Sequence, residues 1–228
     1  MFRRPRSYRI VLGLVLLRVG WMTHCIHATP VDSAASLSTL EKEVVHEINL
    51  ARTQPQEYVT FLAQLRPHYV GNQLRRPGDM APVHSRGAVL ITREGVKAVD
   101  EALASLRATA PLPPLAVSRG LSLAVKDHVQ DQGPKGGASH QGSDGSNSGA
   151  RANRYGRWQG KIGENIAFGI ASARGMIMNL IIDDGVPGRG HRKNLFDPQF
   201  RVVGVACGPH KTMQIMCVMM FAEGYIEK

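Results

Sequence analysis

The chain has 228 residues with 43% hydrophobic content and a formal net charge of +10. That length allows one domain with additions, or two small ones, and that apolar fraction excludes a disordered chain. Five of the 28 basic residues (Arg3, Arg4, Arg6, Arg9 and Arg18) precede the first acidic one, so residues 29–228 carry 23 basic against 18 acidic residues, a net of +5. With no compact Lys/Arg run interleaved with aromatics, this mild excess excludes a nucleic-acid footprint.

The chain opens as an export signal does. Arg3 to Arg9 is basic, Ile10 to Leu17 is apolar, and Ala28 is a cleavage position with polar residues beyond it. The apolar run is far short of the about 20 residues that span a bilayer, and Arg18 interrupts it. The expected organisation is a signal peptide over 1–28, a linker over 29–37 and a folded domain over 38–228. An uncleaved membrane anchor reaching Met22 is the alternative for the N-terminus, and a cytosolic chain is a third.

Ser38-x-x-Glu41 is a capping box and predicts a first helix with Leu40, Val44, Val45 and Ile48 on its apolar face. Pro55 suits the first turn of a second helix carrying Tyr58, Val59, Leu62 and Leu65. Six Pro and Gly residues from Pro67 to Gly87 predict a long loop over Arg66 to Leu90. Thr92 is the expected cap of a third helix, and Ser118 that of a fourth, which buries Leu121, Ala124, Val125 and Val129 and ends at Gly133. Gly133 to Gly163 reads as loop. Ser172 starts a short helix to about Asp183. Phe200 to Cys207 and Gln214 to Phe221 are strand-like runs that form a hairpin, with a third strand expected near Ile162 to Phe168. Helices first and paired strands late predict an α+β domain with helices on a small antiparallel sheet.

Two cysteines, Cys207 and Cys217, lie beyond the signal, and an even pair in an exported chain points to a disulfide. Two hairpin registers are open. A turn centred on Thr212 sets the cysteines opposite each other. A tighter turn near His210 sets Cys207 opposite Gln214 and leaves two buried thiols.

The chemistry-bearing residues lie between His140 and His191. Both histidines sit in Gly/Ser-rich surroundings and bracket Gly163-Glu164-Asn165-Ile166 and the acidic pair Asp183-Asp184. Two imidazoles and two carboxylates, gathered in space, make a Zn²⁺ site or an acid/base site. Other motifs fail. His46-Glu47 lacks the second histidine of HExxH, since position 50 is leucine, and is expected on the exposed face of the first helix. Gly142-Ser143-Asp144-Gly145 has neither the spacing nor the preceding strand of a nucleophile elbow. No P-loop or dinucleotide fingerprint is present. His128 is expected half-buried at the edge of the fourth helix.

Taken in order, Ser139-His140, Gly163-Glu164-Asn165-Ile166, Gly190-His191-Arg192 and Gly204-Val205-Ala206-Cys207 resemble the CAP superfamily (cysteine-rich secretory proteins, antigen 5, pathogenesis-related 1; SCP-like) over roughly residues 38–225. The resemblance implies an α-β-α sandwich and a cleft in which His140 and His191 can bind a divalent metal beside Glu164 and an acidic residue. Members usually carry glutamate at that last position. Here it is Asp183, by its place after Leu180-Ile181-Ile182, with Asp184 the alternative. Asn49-x-x-Arg52 matches a structural pair of the family, the arginine bonding carbonyls of a loop. The aromatic pair before the acidic residue and the many cysteines of eukaryotic members are absent, as in a cysteine-poor, prokaryotic-style branch.

The resulting expectation is a secreted or extracytoplasmic protein without established catalysis, whose cleft holds Zn²⁺ or another divalent ion and whose surface binds lipid, a wall component or a protein, with no nucleic-acid partner. A zinc-dependent hydrolase with Glu164 as general base is the first alternative. A metal-free cleft of mutually satisfied polar groups is the second.

Overall fold

A computed structural model describes residues 37–75 and 89–228. The expected signal over 1–28 and nearly all of the expected linker lie outside the described residues, as does the 76–88 part of the expected loop. No described helix is long and apolar enough to cross a membrane.

The helices are α1 Thr39–Thr53, α2 Pro55–Leu65, α3 Val96–Ala108, α4 Arg119–Gln132, α5 Ser148–Tyr155, α6 Ala173–Ile182 and α7 Gly190–Leu195. The strands are β1 Tyr69–Val70, β2 Gln73–Arg75, β3 Val89–Ile91, β4 Ala116–Val117, β5 Gly156–Phe168, β6 Val202–His210 and β7 Gln214–Glu227. The main sheet runs β4-β6-β7-β5, with the short β4 parallel to β6 and the rest antiparallel. This is the α+β, α-β-α architecture expected.

Strand alternation builds the sandwich. Met216, Val218, Met220 and Ala222 of β7 join Ile166 and Ala206 against Leu121, Ala124, Val125 and Val129 of α4 and Ala152 of α5. Their neighbours Cys217, Met219 and Phe221 join Ala167, Val203 and Val205 on the other face, against α1, α2, α3 and α6. β7 is therefore buried on both faces, which is why it reads as an unbroken apolar run rather than an alternating one.

α4 meets β6 at backbone distance. A Cβ on Gly204 would lie 2.3 Å from both the Leu121 carbonyl carbon and the Ser122 nitrogen. Backbone atoms in a packed helix cannot move aside as a flexible side chain can. Gly204→Val is expected to cost about 3 kcal/mol of stability, read as a lower denaturation midpoint. A cost under about 0.5 kcal/mol would show that α4 shifts freely.

Several local expectations need correction. Arg66 to Leu90 contains a 3-10 turn, Arg66–His68, and the antiparallel sheet β1-β2-β3. Thr92 does not cap α3. Its hydroxyl donates to the Asn72 carbonyl at 2.8 Å, and α3 begins after Gly95 at φ 67°. The delay has a cause: the Asp184 carboxylate accepts from the backbone N–H groups of Arg93 (2.6 Å) and Glu94 (2.8 Å) and holds them outside the helix. Gly133 to Gly163 is not all loop either. Asn147 caps α5 by accepting from the Ala150 N–H at 2.8 Å, and β5 starts at Gly156. α5 buries only Arg151 and Ala152, so no hydrophobic period announces it. Glu47 is buried, not exposed, and accepts from the Tyr58 hydroxyl at 2.7 Å and Arg174 at 2.9 Å.

The hairpin takes the wider register. His210 pairs with Gln214 and Cys207 with Cys217, and the two sulfurs are bonded. His210 organises the turn: its Nε2 lies 2.9 Å from the Gly137 carbonyl, and its Nδ1 accepts from the Met213 N–H at 3.0 Å. The tighter turn and free thiols are thereby excluded.

Candidate functional site

β5 is the edge strand of the main sheet, and consecutive residues of its motif point to opposite faces. Glu164 has the parity of Ile166 and faces the α4–α5 layer. Asn165 has the parity of Ala167 and faces the layer that holds α6 and α7.

On the first face the Glu164 side chain is almost fully buried, 3% exposed. One oxygen meets His140 Nδ1 at 2.9 Å, and the other accepts from Arg151 Nη2 at 2.5 Å. Burial pushes the Glu164 carboxyl up, but the hydrogen bond to His140 and the charge and bond of Arg151 outweigh it and hold it below the usual range. An ionised carboxylate only accepts, so His140 Nδ1 carries the proton, and in the neutral ring Nε2 keeps its lone pair. The His140 side chain is 57% exposed.

Arg151 is the organiser that sequence reasoning missed. From α5 it also donates to the carbonyls of His140 (3.1 Å) and Ser146 (3.0 Å), so one buried guanidinium fixes the loop and neutralises the carboxylate. Its signal was indirect: a buried Glu164 requires a cation, and Asn147 starts a turn that brings Arg151 to it. His128 is a second such residue. It is fully buried rather than half-buried, and its Nε2 lies 2.8 Å from the Ser139 carbonyl. Burial and the nearby Arg151 charge lower its pKa, so the ring is neutral and donates, which fixes the residue before His140. Asp131 stiffens the same loop, accepting from the Ser143 N–H at 2.7 Å and its hydroxyl at 2.5 Å and pairing with Lys135.

On the second face, α6 stops at Asp183, which adopts φ 55° and ψ 41°. The turn aims its carboxylate at α7. One oxygen accepts from the backbone N–H groups of His191 (2.9 Å) and Arg192 (3.4 Å), and the other meets His191 Nδ1 at 2.6 Å. Asp183 therefore caps α7 and orients the ring together, and the shorter aspartate reaches because the loop folds His191 back over it. Asp184 belongs to α3, as described above. The His191 side chain is 24% exposed.

The two halves are linked through β5. Asn165 donates to the His191 carbonyl at 3.0 Å and accepts from Asn194 at 2.8 Å, and Asn194 reaches the Glu164 carbonyl at 3.4 Å. Both histidines are thus anchored to adjacent residues of one edge strand. Arg52 supports the assembly from below: it is fully buried and donates to the carbonyls of Pro113, Leu195, Asp197 and Phe200. Asn49 pairs with both backbone groups of Leu115 at 2.8 and 3.0 Å.

The two histidines share one pattern of contacts. Each ring commits Nδ1 to a buried carboxylate and leaves Nε2 as the ligand atom, the arrangement in which a carboxylate orients a metal-binding imidazole. Among the described residues no group of three or more His, Cys, Asp or Glu side chains is placed to hold a metal ion.

A model of the cysteine-rich secretory protein family, CAP, matches residues 101–221. No curated protein matches the sequence. Among solved structures, an extracellular protein containing an SCP domain from Bacillus anthracis str. Ames is similar at 21% identity and a TM-score of 0.39, over 58% of this chain and 38% of that one. An outer surface protein from Borrelia burgdorferi is similar at 17% identity and a TM-score of 0.42, over 51% of this chain and 80% of that one. A cysteine-rich secretory protein from Staphylococcus aureus subsp. aureus Mu50 is similar at 11% identity and a TM-score of 0.36, over 70% of this chain and 61% of that one. The family match runs from α3 to β7 and takes in His140, Glu164, Asp183, His191 and both cysteines, and the chain belongs to the CAP family.

Proposed function

We propose that this chain is an extracytoplasmic CAP-domain binding protein in which His140 and His191 hold a divalent cation such as Zn²⁺. The observation that supports it is the matched pair of carboxylate–imidazole contacts, Glu164 to His140 and Asp183 to His191, each leaving Nε2 available. The bound ion would supply an electrophilic centre at the cleft for an anionic or carbonyl-bearing partner: a lipid, a wall component or a protein. The basic, apolar start of the sequence supports export. Sequencing the N-terminus of protein recovered outside the cytoplasm is expected to find it between Thr23 and Ser33. Intact Met1 in a soluble cytosolic fraction would overturn export.

Titration calorimetry with Zn²⁺ tests the site. Binding at pH 7.5 is expected to weaken near pH 5.5, because protons compete for imidazole. His140→Ala and His191→Ala should each remove most of it. Glu164→Gln and Asp183→Asn should each weaken it by about tenfold, the usual cost of losing an orienting carboxylate. Equal affinity in wild type and both alanine variants would reject the site.

The hydrolase alternative asks Glu164 to take a proton from bound water. Its two oxygens already meet His140 and Arg151, so we assign it positioning rather than base chemistry. Peptide or ester hydrolysis by the metal-loaded protein that is lost in Glu164→Gln, with metal still bound, would reverse that assignment.

A further inference from the structure

A groove of about 550 Å³ runs between the C-terminal end of α4 and the β6–β7 hairpin, bordered by Val129, Pro134 and Pro209 and rimmed by Lys126 and Lys211. Neither His140 nor His191 lines it, and among the described residues no acidic side chain does. Among the described residues neither lysine meets a carboxylate. The contrast is a groove of about 670 Å³ beside α7, whose Arg189 and Arg192 are already bonded to Glu94 and Glu101.

The floor is a strand edge. The short β4 covers only Val202 and Val203 of β6, so among the described residues the edge beyond has no strand neighbour. The Cys207 N–H donates away from β7, to Glu41 at 2.9 Å. The N–H and C=O of one antiparallel residue point to the same side, so the Cys207 carbonyl turns outward too. The Cys207 side chain belongs to the opposite face, in the disulfide, and its backbone is what borders the groove. Full strand addition is blocked, because Glu41 occupies the Cys207 N–H and Pro209 has none. What remains is an apolar floor, one outward acceptor and two unmatched cations.

We propose that this groove binds an acidic, apolar peptide segment of a partner protein. A leucine-like side chain seats on Val129, Pro134 and Pro209, one peptide N–H donates to the Cys207 carbonyl, and flanking carboxylates meet Lys126 and Lys211. A fatty acid matches the charge and the apolar floor but has no N–H for the carbonyl, and the peptide uses all three features. The inference does not require the cation site.

Fluorescence polarisation with a labelled octapeptide alternating leucine and glutamate tests it on the full chain. Saturable binding is expected, with none for the leucine/lysine or serine/glutamate counterparts. Both lysines are exposed, so Lys126→Glu with Lys211→Glu should keep the melting temperature while weakening the peptide by at least about tenfold. Lys126→Gln with Lys211→Gln should weaken it less, and the salt dependence should shrink in both. His140→Ala should bind the peptide as wild type does, which separates this groove from the cation cleft. The proposal is overturned by absence of saturable binding to wild type, by equal affinity in the charge-reversed protein, or by sodium laurate occupying the groove where the peptide does not.

Discussion

Arg52→Ala should destabilise the folded domain by about 4 kcal/mol, among the largest effects of any single substitution in this chain. Arg52 is fully buried, and its guanidinium donates to four carbonyls from two stretches of chain: Pro113 before β4, and Leu195, Asp197 and Phe200 in the connection from α7 to β6. Truncation leaves those acceptors without their charged donor and opens a cavity, and each orphaned buried acceptor costs about 1–3 kcal/mol before relaxation. Arg52→Lys should recover only part, since a single ammonium cannot reproduce a planar five-donor fork. Urea unfolding measures both. A cost for Arg52→Ala below about 1 kcal/mol would show that water replaces the guanidinium freely and that the α7–β6 connection does not depend on it.

Arg151→Met is the second large effect, and its signature is in pH. In the wild type the Glu164 pKa lies below its ordinary value, so the group contributes stability that is present above its unfolded pKa of about 4.3 and is lost as pH falls through the folded value. Without Arg151 the main opposing charge is gone and burial dominates, which raises the folded pKa. A raised carboxylate contributes stability below its unfolded pKa and loses it as pH rises through the folded one. The penalty of Arg151→Met should therefore be smallest at acid pH, below the wild-type folded value, and grow towards pH 7, reaching about 3–5 kcal/mol, the cost of leaving a buried charge without its partner. Arg151→Met with Glu164→Gln should remove most of the growth. A penalty independent of pH would show that Arg151 acts through packing and its two carbonyl contacts alone. The Zn²⁺ affinity of Arg151→Met is expected to fall as well, because Glu164 loses the contact that holds it against His140.

Much of the fold was legible because its signals are local. Ser38, Ser118 and Ser172 cap the helices they were expected to cap, each accepting from the backbone N–H three residues on. The helical periods of α1, α2 and α4 and the apolar run of β7 mark the core faces that the structure buries. What escaped was structure held by charge rather than apolar period. α5 is fixed by a buried arginine, the start of α3 is delayed by Asp184, and the short α7 is capped by Asp183 from another element. None of these leaves a hydrophobic pattern, because the partner that stabilises each lies far off in sequence or on another element.

The site divides in the same way. The residue types and their order (His140, the Glu164-Asn165 pair, Asp183, His191) were readable in the chain and carried the family resemblance, since motif chemistry is written in consecutive residues. Which carboxylate serves which imidazole was not readable. Asp183 and Asp184 are adjacent in sequence, and a single left-handed residue at the end of α6 sends one to His191 and the other to α3. The hairpin register follows the same logic. Both turns were compatible with the residues present, and the turn centred on Thr212 holds because His210 is buried between Gly137 and Met213, which joins Cys207 to Cys217. Identity and order are properties of the chain, whereas the choice between near-equivalent neighbours depends on contacts made across the fold, where burial decides which polar groups find partners.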